Sequence, residues 1–146
     1  MIRVDEALAR ILSRIPVLPS ERVGLVEATG RVLARDVLSD IDIAPFDNAE
    51  KDGYAVRAVD TAAASPERPV RLQVLECIAA GSIPRNPVGT GQASRITTGA
   101  PLPEGADAVV MVEDTRVLDS GRGVEIGAAV IPEQNVRRRG REIGAG

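Results

Sequence analysis

The 146 residues contain no histidine and a single cysteine, Cys77. Without histidine there is no Ser-His-Asp triad, no Cys-His pair, no imidazole metal ligand and no histidine switch near neutral pH. Any acid, base or ligand must therefore be Asp, Glu, Lys, Tyr or backbone. A lone thiol excludes an internal disulfide, a zinc knuckle and a cysteine-held cluster, and it fits a reducing compartment, so the expected location is cytoplasmic. Aromatic residues are as scarce: Phe46 and Tyr54 stand alone, too few to stack the successive bases of a single strand. Charge of one sign is lacking too, since 18 basic and 21 acidic side chains leave a net −3. That balance opposes a general polyanion binder, and no nucleic-acid partner is expected. No run approaches the roughly 18–20 apolar residues of a membrane span, so no membrane partner is expected either. Asp5 and Glu6 interrupt what would be the apolar part of a secretory signal.

What is present is 44% apolar and 27% charged, the mix of a globular protein with enough chain for one domain or two small ones. Val4, Ala7, Leu8, Ile11, Leu12 and Ile15 recur at helical spacing and predict an amphipathic helix. Asp5 and Glu6 suit its first turn, and Pro16 should stop it. About three turns cannot stand alone, so the apolar face must pack on the rest of the chain or on a partner. Beyond it, Arg22 to Val26 reads as a short strand, Glu27 to Ala34 as a short helix weakened by Gly30, and Arg35 to Ser39 as extended. Asp40 to Asp60 is acidic and turn-forming with little periodicity, and reads as an ordered functional loop. Val70, Leu72 and Val74 alternate with polar residues, a half-buried strand that runs on toward Ile78 with a change of phase. Gly81 to Gly91 is a loop by its breakers. Ala106 to Glu113 reads as a strand covered on both faces, and Val124 to Ile126 as the return arm of a hairpin. The whole predicts a mostly β body with an N-terminal α-helix.

Three segments could carry chemistry. In Pro45 to Arg57, Asp52-Gly53 is a favoured turn pair, because glycine accepts positive φ and leaves the preceding carboxylate projecting. Spacing alone favours a plain hairpin turn with a solvated Asp. Asp40, Asp42, Asp47 and Asp52 offer oxygens to a hard cation such as Mg²⁺, but their positions do not match a calcium loop, and a dedicated cation cage is not expected. In Arg95 to Asp107, Thr98-Gly99 can offer a hydroxyl and a backbone N–H to an oxyanion if the backbone forms a concave nest. Spacing alone favours a turn stiffened by Pro101 and Pro103. Asn135 to Gly144 packs four arginines into five positions. Such a run can grip a phosphate bidentately or simply form a solvated face.

Taken in order, these segments resemble the N-terminal region of the molybdopterin molybdenumtransferase (MoeA/gephyrin E-domain) family. The likeness runs from Asp5-Glu6-Ala7-Leu8 through Glu27 to Ala34, Pro45-Phe46-Asp47-Asn48, Asp52-Gly53-Tyr54-Ala55-Val56, and Arg95-Ile96-Thr97-Thr98-Gly99-Ala100. It ends with Pro103 to Val110 and Asn135-Val136-Arg137 with Gly140. The resemblance implies coiled, bifurcated β-sheets and an elongated dimerisation segment, residues 1–40 with 137–146, beside a β-rich domain, 41–136. It implies an enzyme that inserts molybdate into adenylylated molybdopterin with Mg²⁺, releasing AMP. The active cleft would form in a homodimer, with pterin-binding domains that this sequence does not contain, so that the fragment alone would be inactive and bind no cofactor. By matched motif, Asp52 and Thr98 are the catalytic candidates, with Gly53, Gly99, Arg137 and Glu142 at the substrate and no metal ligand assigned. The alternative is a non-catalytic dimerising or scaffolding module of the same fold. Two departures stand out: Ala49-Glu50-Lys51 where the family usually has Ser-Ala-Met, and Arg141-Glu142 where Glu-Asp is common.

Overall fold

A computed structural model describes residues 2–146, which divide into two units, Met1–Val37 and Leu38–Gly146. The first unit carries helix α1, Val4–Leu12, with Asp5 and Glu6 in its first turn and Arg10 in its last. Arg10 donates to Glu6 at 2.7 Å, one turn back. The helix ends one turn sooner than the apolar spacing suggests. Arg14 and Ile15 donate to Ile11 and Leu12 in tight i→i+3 turns, and the residue before Pro16 is disfavoured in helical conformation. No α1 side chain is buried, and Val4, Leu8, Ile11 and Leu12 are each more than half exposed.

Two expectations fail in this unit. Arg22 to Val26 forms no strand, for among the described residues it has no neighbour to pair with. Glu27 to Ala34 is not a helix; only a 3₁₀ turn, Val26–Ala28, forms, because Thr29 is extended and Gly30 turns left-handed at φ 81°.

The second unit holds β1 (Asn48–Ala49), β2 (Gly53–Val56), the short α2 (Ala58–Thr61), β3 (Val70–Ile78), β4 (Gln92–Ile96), β5 (Ala108–Met111), β6 (Thr115–Leu118), β7 (Gly123–Ile126) and β8 (Val136–Arg137). Six of them form one sheet in the order β5-β2-β4-β3-β7-β6, parallel only between β3 and β4. Its two faces bury separate clusters, Tyr54, Val56, Val110, Val124 and Ile126 on one and Ala55, Ile78, Ile96 and Val109 on the other. The chain is thus mostly β with an N-terminal helix.

The expected strand at Val70 is β3, and its change of phase is a register shift between Val74 and Cys77. The strand expected at 106–113 is β5; its open edge is closed by Gln134, whose carbonyl accepts from Val109, and by Asn135, which donates to the Val109 carbonyl at 2.8 Å. The expected hairpin is β6–β7. Residues 40–60 are not a loop throughout. Their β2 lies between β4 and β5 and is buried along its whole length, so no polar alternation marked it in the sequence.

A second, two-stranded sheet pairs β1 with β8. On its other side β1 is bonded to residues 99–102, where Ala49 donates to the Ala100 carbonyl and Leu102 to that of Asp47. The segment after β8 lies along residues 39–47, through bridges Ile43 to Ile143 and Ser39 to Ala145. Residues 137–146 thus fall in the same unit as the sheet, apart from residues 1–37.

Candidate active site

Asp52 precedes β2, and Thr98 follows β4 by two residues. Because these strands are antiparallel with Gly53 opposite Ile96, both residues emerge at the same end of the ladder. Thr98 donates twice to one oxygen: its backbone N–H reaches Asp52 Oδ1 at 2.7 Å and its hydroxyl at 2.8 Å. Among the described residues Oδ2 has no partner, and both side chains are exposed. The Thr98 amide, then its hydroxyl, hold the Asp52 carboxyl below the usual carboxylate range, against a small opposing effect of burial and with help from the nearby Arg95 charge. Asp52 is therefore ionised at neutral pH and serves as an acceptor, not as a general acid.

The two glycines act for different reasons. Gly53 has no positive φ, so the turn argument does not apply to it. A Cβ there would sit 1.9 Å from the Val110 carbonyl oxygen, which makes glycine a condition of strand packing beside Asp52. Gly99 does have φ 81°. With Ala100 donating to the Thr97 carbonyl at 3.0 Å, this is the third position of a type II turn. The turn offers no anion nest. Thr98 N–H is bound by Asp52, Gly99 N–H by the Ala49 carbonyl and Ala100 N–H by Thr97. What faces solvent is a carboxylate oxygen and hydroxyl lone pairs, a set that accepts from a donor or ligates a hard cation.

The arginine run is not a free phosphate grip: its side chains are exposed, as on a solvated face, but each is paired to a carboxylate. Arg137 lies 3.3 Å from Glu142, so these two candidates are brought together as an ion pair. Arg138 pairs with Asp47 and, at 2.7 Å, with Glu133; Arg139 pairs with Asp42; Arg141 meets Glu50 at 2.7 Å. Asp47 Oδ1 also accepts the Arg139 amide at 2.8 Å, and Asp42 Oδ1 that of Ala145 at 2.9 Å. These amide bonds, with the guanidinium bonds second, hold both carboxyls below their usual range. Contacts to Glu133 and Asp47 raise Arg138 further. β1 ties this segment to the Thr98 turn, with β8 on one side and residues 99–102 on the other. The reading from sequence named Asp42 and Asp47 only as possible cation oxygens and missed their pairing with the arginine run, 91 to 97 residues away. It also missed Arg95 as the cation beside Asp52.

Among the described residues no three His, Cys, Asp or Glu side chains come together as a metal cage.

A family model described as MoeA N-terminal region (domain I and II) matches residues 2–146. The chain belongs to this family. It is 46% identical over 118 residues to the molybdopterin molybdenumtransferase of Bacillus subtilis, covering 81% of this chain and 27% of the relative. It is 39% identical over 151 residues to the one from Synechococcus elongatus, covering 100% of this chain and 36% of the relative. The crystal structure of a molybdopterin biosynthesis MoeA protein from Pyrococcus horikoshii OT3 superposes with a TM-score of 0.76 at 41% identity, over 86% of this chain and 33% of that one. The chain thus spans about a third of the length of these relatives.

Parts of the two departures from the usual MoeA motifs are accounted for locally, while nothing in the structure explains Lys51. Ala49 is 1% exposed in the core cluster that holds Ala55, Ile96 and Val136, where a methyl packs well. Glu50 and Arg141, both unusual, are each other's partner at 2.7 Å, so the charge reversed at one position is matched at the other.

Proposed function

We propose that this chain is the N-terminal part of an enzyme that inserts molybdate into adenylylated molybdopterin, in which it supplies half of an active site completed across a homodimer. The observation that carries the reading is the Asp52 carboxylate, fixed at Oδ1 by two Thr98 bonds and free at Oδ2. The names of the relatives, molybdopterin molybdenumtransferases, supply the chemistry to which that group is matched.

In this reading Thr98 locks the carboxylate orientation before substrate arrives, so no rotamer entropy is lost when the free oxygen engages. The type II turn and the packed Gly53 hold the two loop ends in register. Molybdate, the pterin and AMP are substrate and products. The donor set suits Mg²⁺, which takes hard oxygens and usually keeps several waters beside one or two carboxylates and substrate phosphates. Asp52 Oδ2 and the Thr98 hydroxyl would hold it, and when bound the ion would neutralise charge on phosphate or oxyanion groups. Glu142 and Arg137 flank the site through β8 and act on the substrate less directly, since each already neutralises the other.

The exposed apolar face of α1 supports the dimer part of the reading, and equally a second one, a non-catalytic dimerising module. An insertion assay separates them. In the full-length protein Asp52→Ala should lower molybdate insertion roughly tenfold or more with an unchanged melting temperature and an intact dimer. Unchanged insertion would remove Asp52 from the mechanism, and a wild-type dimer with no insertion would leave the module.

A further inference from the structure

Tyr54 and Arg95, opposite each other on β2 and β4, line a cleft of about 590 Å³ whose walls also include Leu75, Glu76 and Arg122. Two irregularities of the backbone make it. At the register shift between Val74 and Cys77, the β3–β4 ladder skips Leu75 and Glu76 before it resumes. Opposite, the β6–β7 hairpin turns through Asp119, Ser120 and Gly121, all with positive φ. The Arg122 carbonyl then accepts from Val74 N–H at 2.9 Å, which pins the hairpin tip against the bulge.

The cleft brings together two arginines that are not paired, unlike those of the C-terminal run. The arginines of the 137–141 run are all paired to carboxylates. Arg95 and Arg122, among the described residues, form no ion pair and donate no side-chain hydrogen bond. Glu76, the carboxylate in the wall, already accepts the Arg85 and Asn86 amides on Oε1, at 3.0 and 2.8 Å. Tyr54, the only tyrosine, is 2% exposed and lies in the cleft wall. Two uncommitted guanidiniums over a largely apolar floor are what an anionic head with an organic body requires.

We propose that this cleft is an anion subsite that takes the phosphate of an organic phosphate monoester, with Arg95 and Arg122 as its ligands. Arg95 is the link to the reaction site: it stands opposite Tyr54, which is two residues from Asp52, and is itself three residues before Thr98 in the chain, and its charge acts on Asp52. The choice of a substrate-derived phosphate as ligand rests on the function proposed above; the anion site itself rests on the cleft.

The test is calorimetric titration of the full-length protein with adenosine 5′-monophosphate at low ionic strength, with adenosine as the uncharged control. Arg95 and Arg122 are both exposed, so Arg95→Gln and Arg122→Gln should fold normally. Each should weaken binding of the monophosphate by about tenfold. Arg68→Gln, which removes an exposed arginine outside the cleft, should leave it unchanged, and adenosine should bind no better to wild type than to either cleft variant. Binding that survives both cleft substitutions, an equal loss in Arg68→Gln, or no binding of the monophosphate overturns the subsite. Asp52→Ala separates this from the proposed reaction site. It should retain or tighten monophosphate binding while losing insertion; insertion retained in Asp52→Ala with binding lost in the arginine variants would keep the subsite and reject the role given to Asp52.

Discussion

Asp52 Oδ1 and Oδ2 have different surroundings, and the difference follows from one neighbour, Thr98. Removing the hydroxyl in Thr98→Val leaves the amide bond but deletes the second donor. The Asp52 carboxyl should then titrate at higher pH than in the wild type, toward the ordinary carboxylate value of about 4. A carboxyl-carbon NMR titration reads this directly, and an unchanged titration would mean that the hydroxyl does not bind Asp52 in solution. The two glycines separate by mechanism. Gly53→Ala drives a Cβ into a backbone carbonyl and should cost about 3 kcal/mol in urea unfolding. Gly99→Ala meets nothing within 4 Å and should cost only about 1 kcal/mol, the strain of a left-handed φ on alanine. Equal costs would contradict the assignment. Ser94 presents the opposite case, a buried hydroxyl without a partner among the described residues. Ser94→Ala should leave stability unchanged or raise it by up to about 1 kcal/mol.

At the scale of elements, ion pairs add to strand packing in the sheet and clasp the C-terminal segment to residues 42–47. Glu125 on β7 is buried, and its two oxygens are bound by Arg116 of β6 and by Arg71 of β3, at 2.9 Å for the latter. Arg116 chiefly, then Arg71, hold its carboxyl low. Asp42 and Asp47 do the same for residues 138–146. A depressed folded-state pKa contributes stability that is complete above the unfolded-state value and is lost as pH falls through the folded one. The melting temperature should therefore be flat from neutral pH down to the ordinary carboxylate range and fall below about pH 4. In Asp47→Asn, hydrogen exchange at Arg139 should quicken while that of β2 and β4 stays slow; quickened exchange throughout would contradict a local clasp. Elements with periodicity or clear breakers were legible in the sequence: α1, the bulged β3, and the β6–β7 hairpin. β2 was not, because four residues buried on both faces show no alternation. The Asp52 and Thr98 candidates were legible only as turn residues and as motif matches. Their mutual bond depends on a ladder between residues more than forty apart, and no local pattern carries that. The strand at 22–26 and the helix at 27–34 were misread because apolar residues there, such as Leu25 and Val32, are almost fully exposed and no partner element fixes them.

In the whole molecule the Leu38–Gly146 unit contains both β cores and every candidate site residue, while the unit ending at Val37 keeps its apolar side chains in solvent. If that unit serves the proposed dimer, Leu8→Asp with Ile11→Asp should convert the full-length dimer to monomer in sedimentation, without shifting the melting of the sheet. A dimer that persists would place the contact elsewhere. The account's central claim is that Asp52 and Thr98 act as one device in molybdate insertion. It is tested most directly by a double-mutant cycle on insertion rate in the full-length protein, using Asp52→Asn, Thr98→Val and both together. The account predicts that Asp52→Asn alone causes a loss of roughly tenfold or more, and that adding Thr98→Val costs nothing further. Losses that simply multiply, or an Asp52→Asn enzyme as fast as wild type, would contradict it.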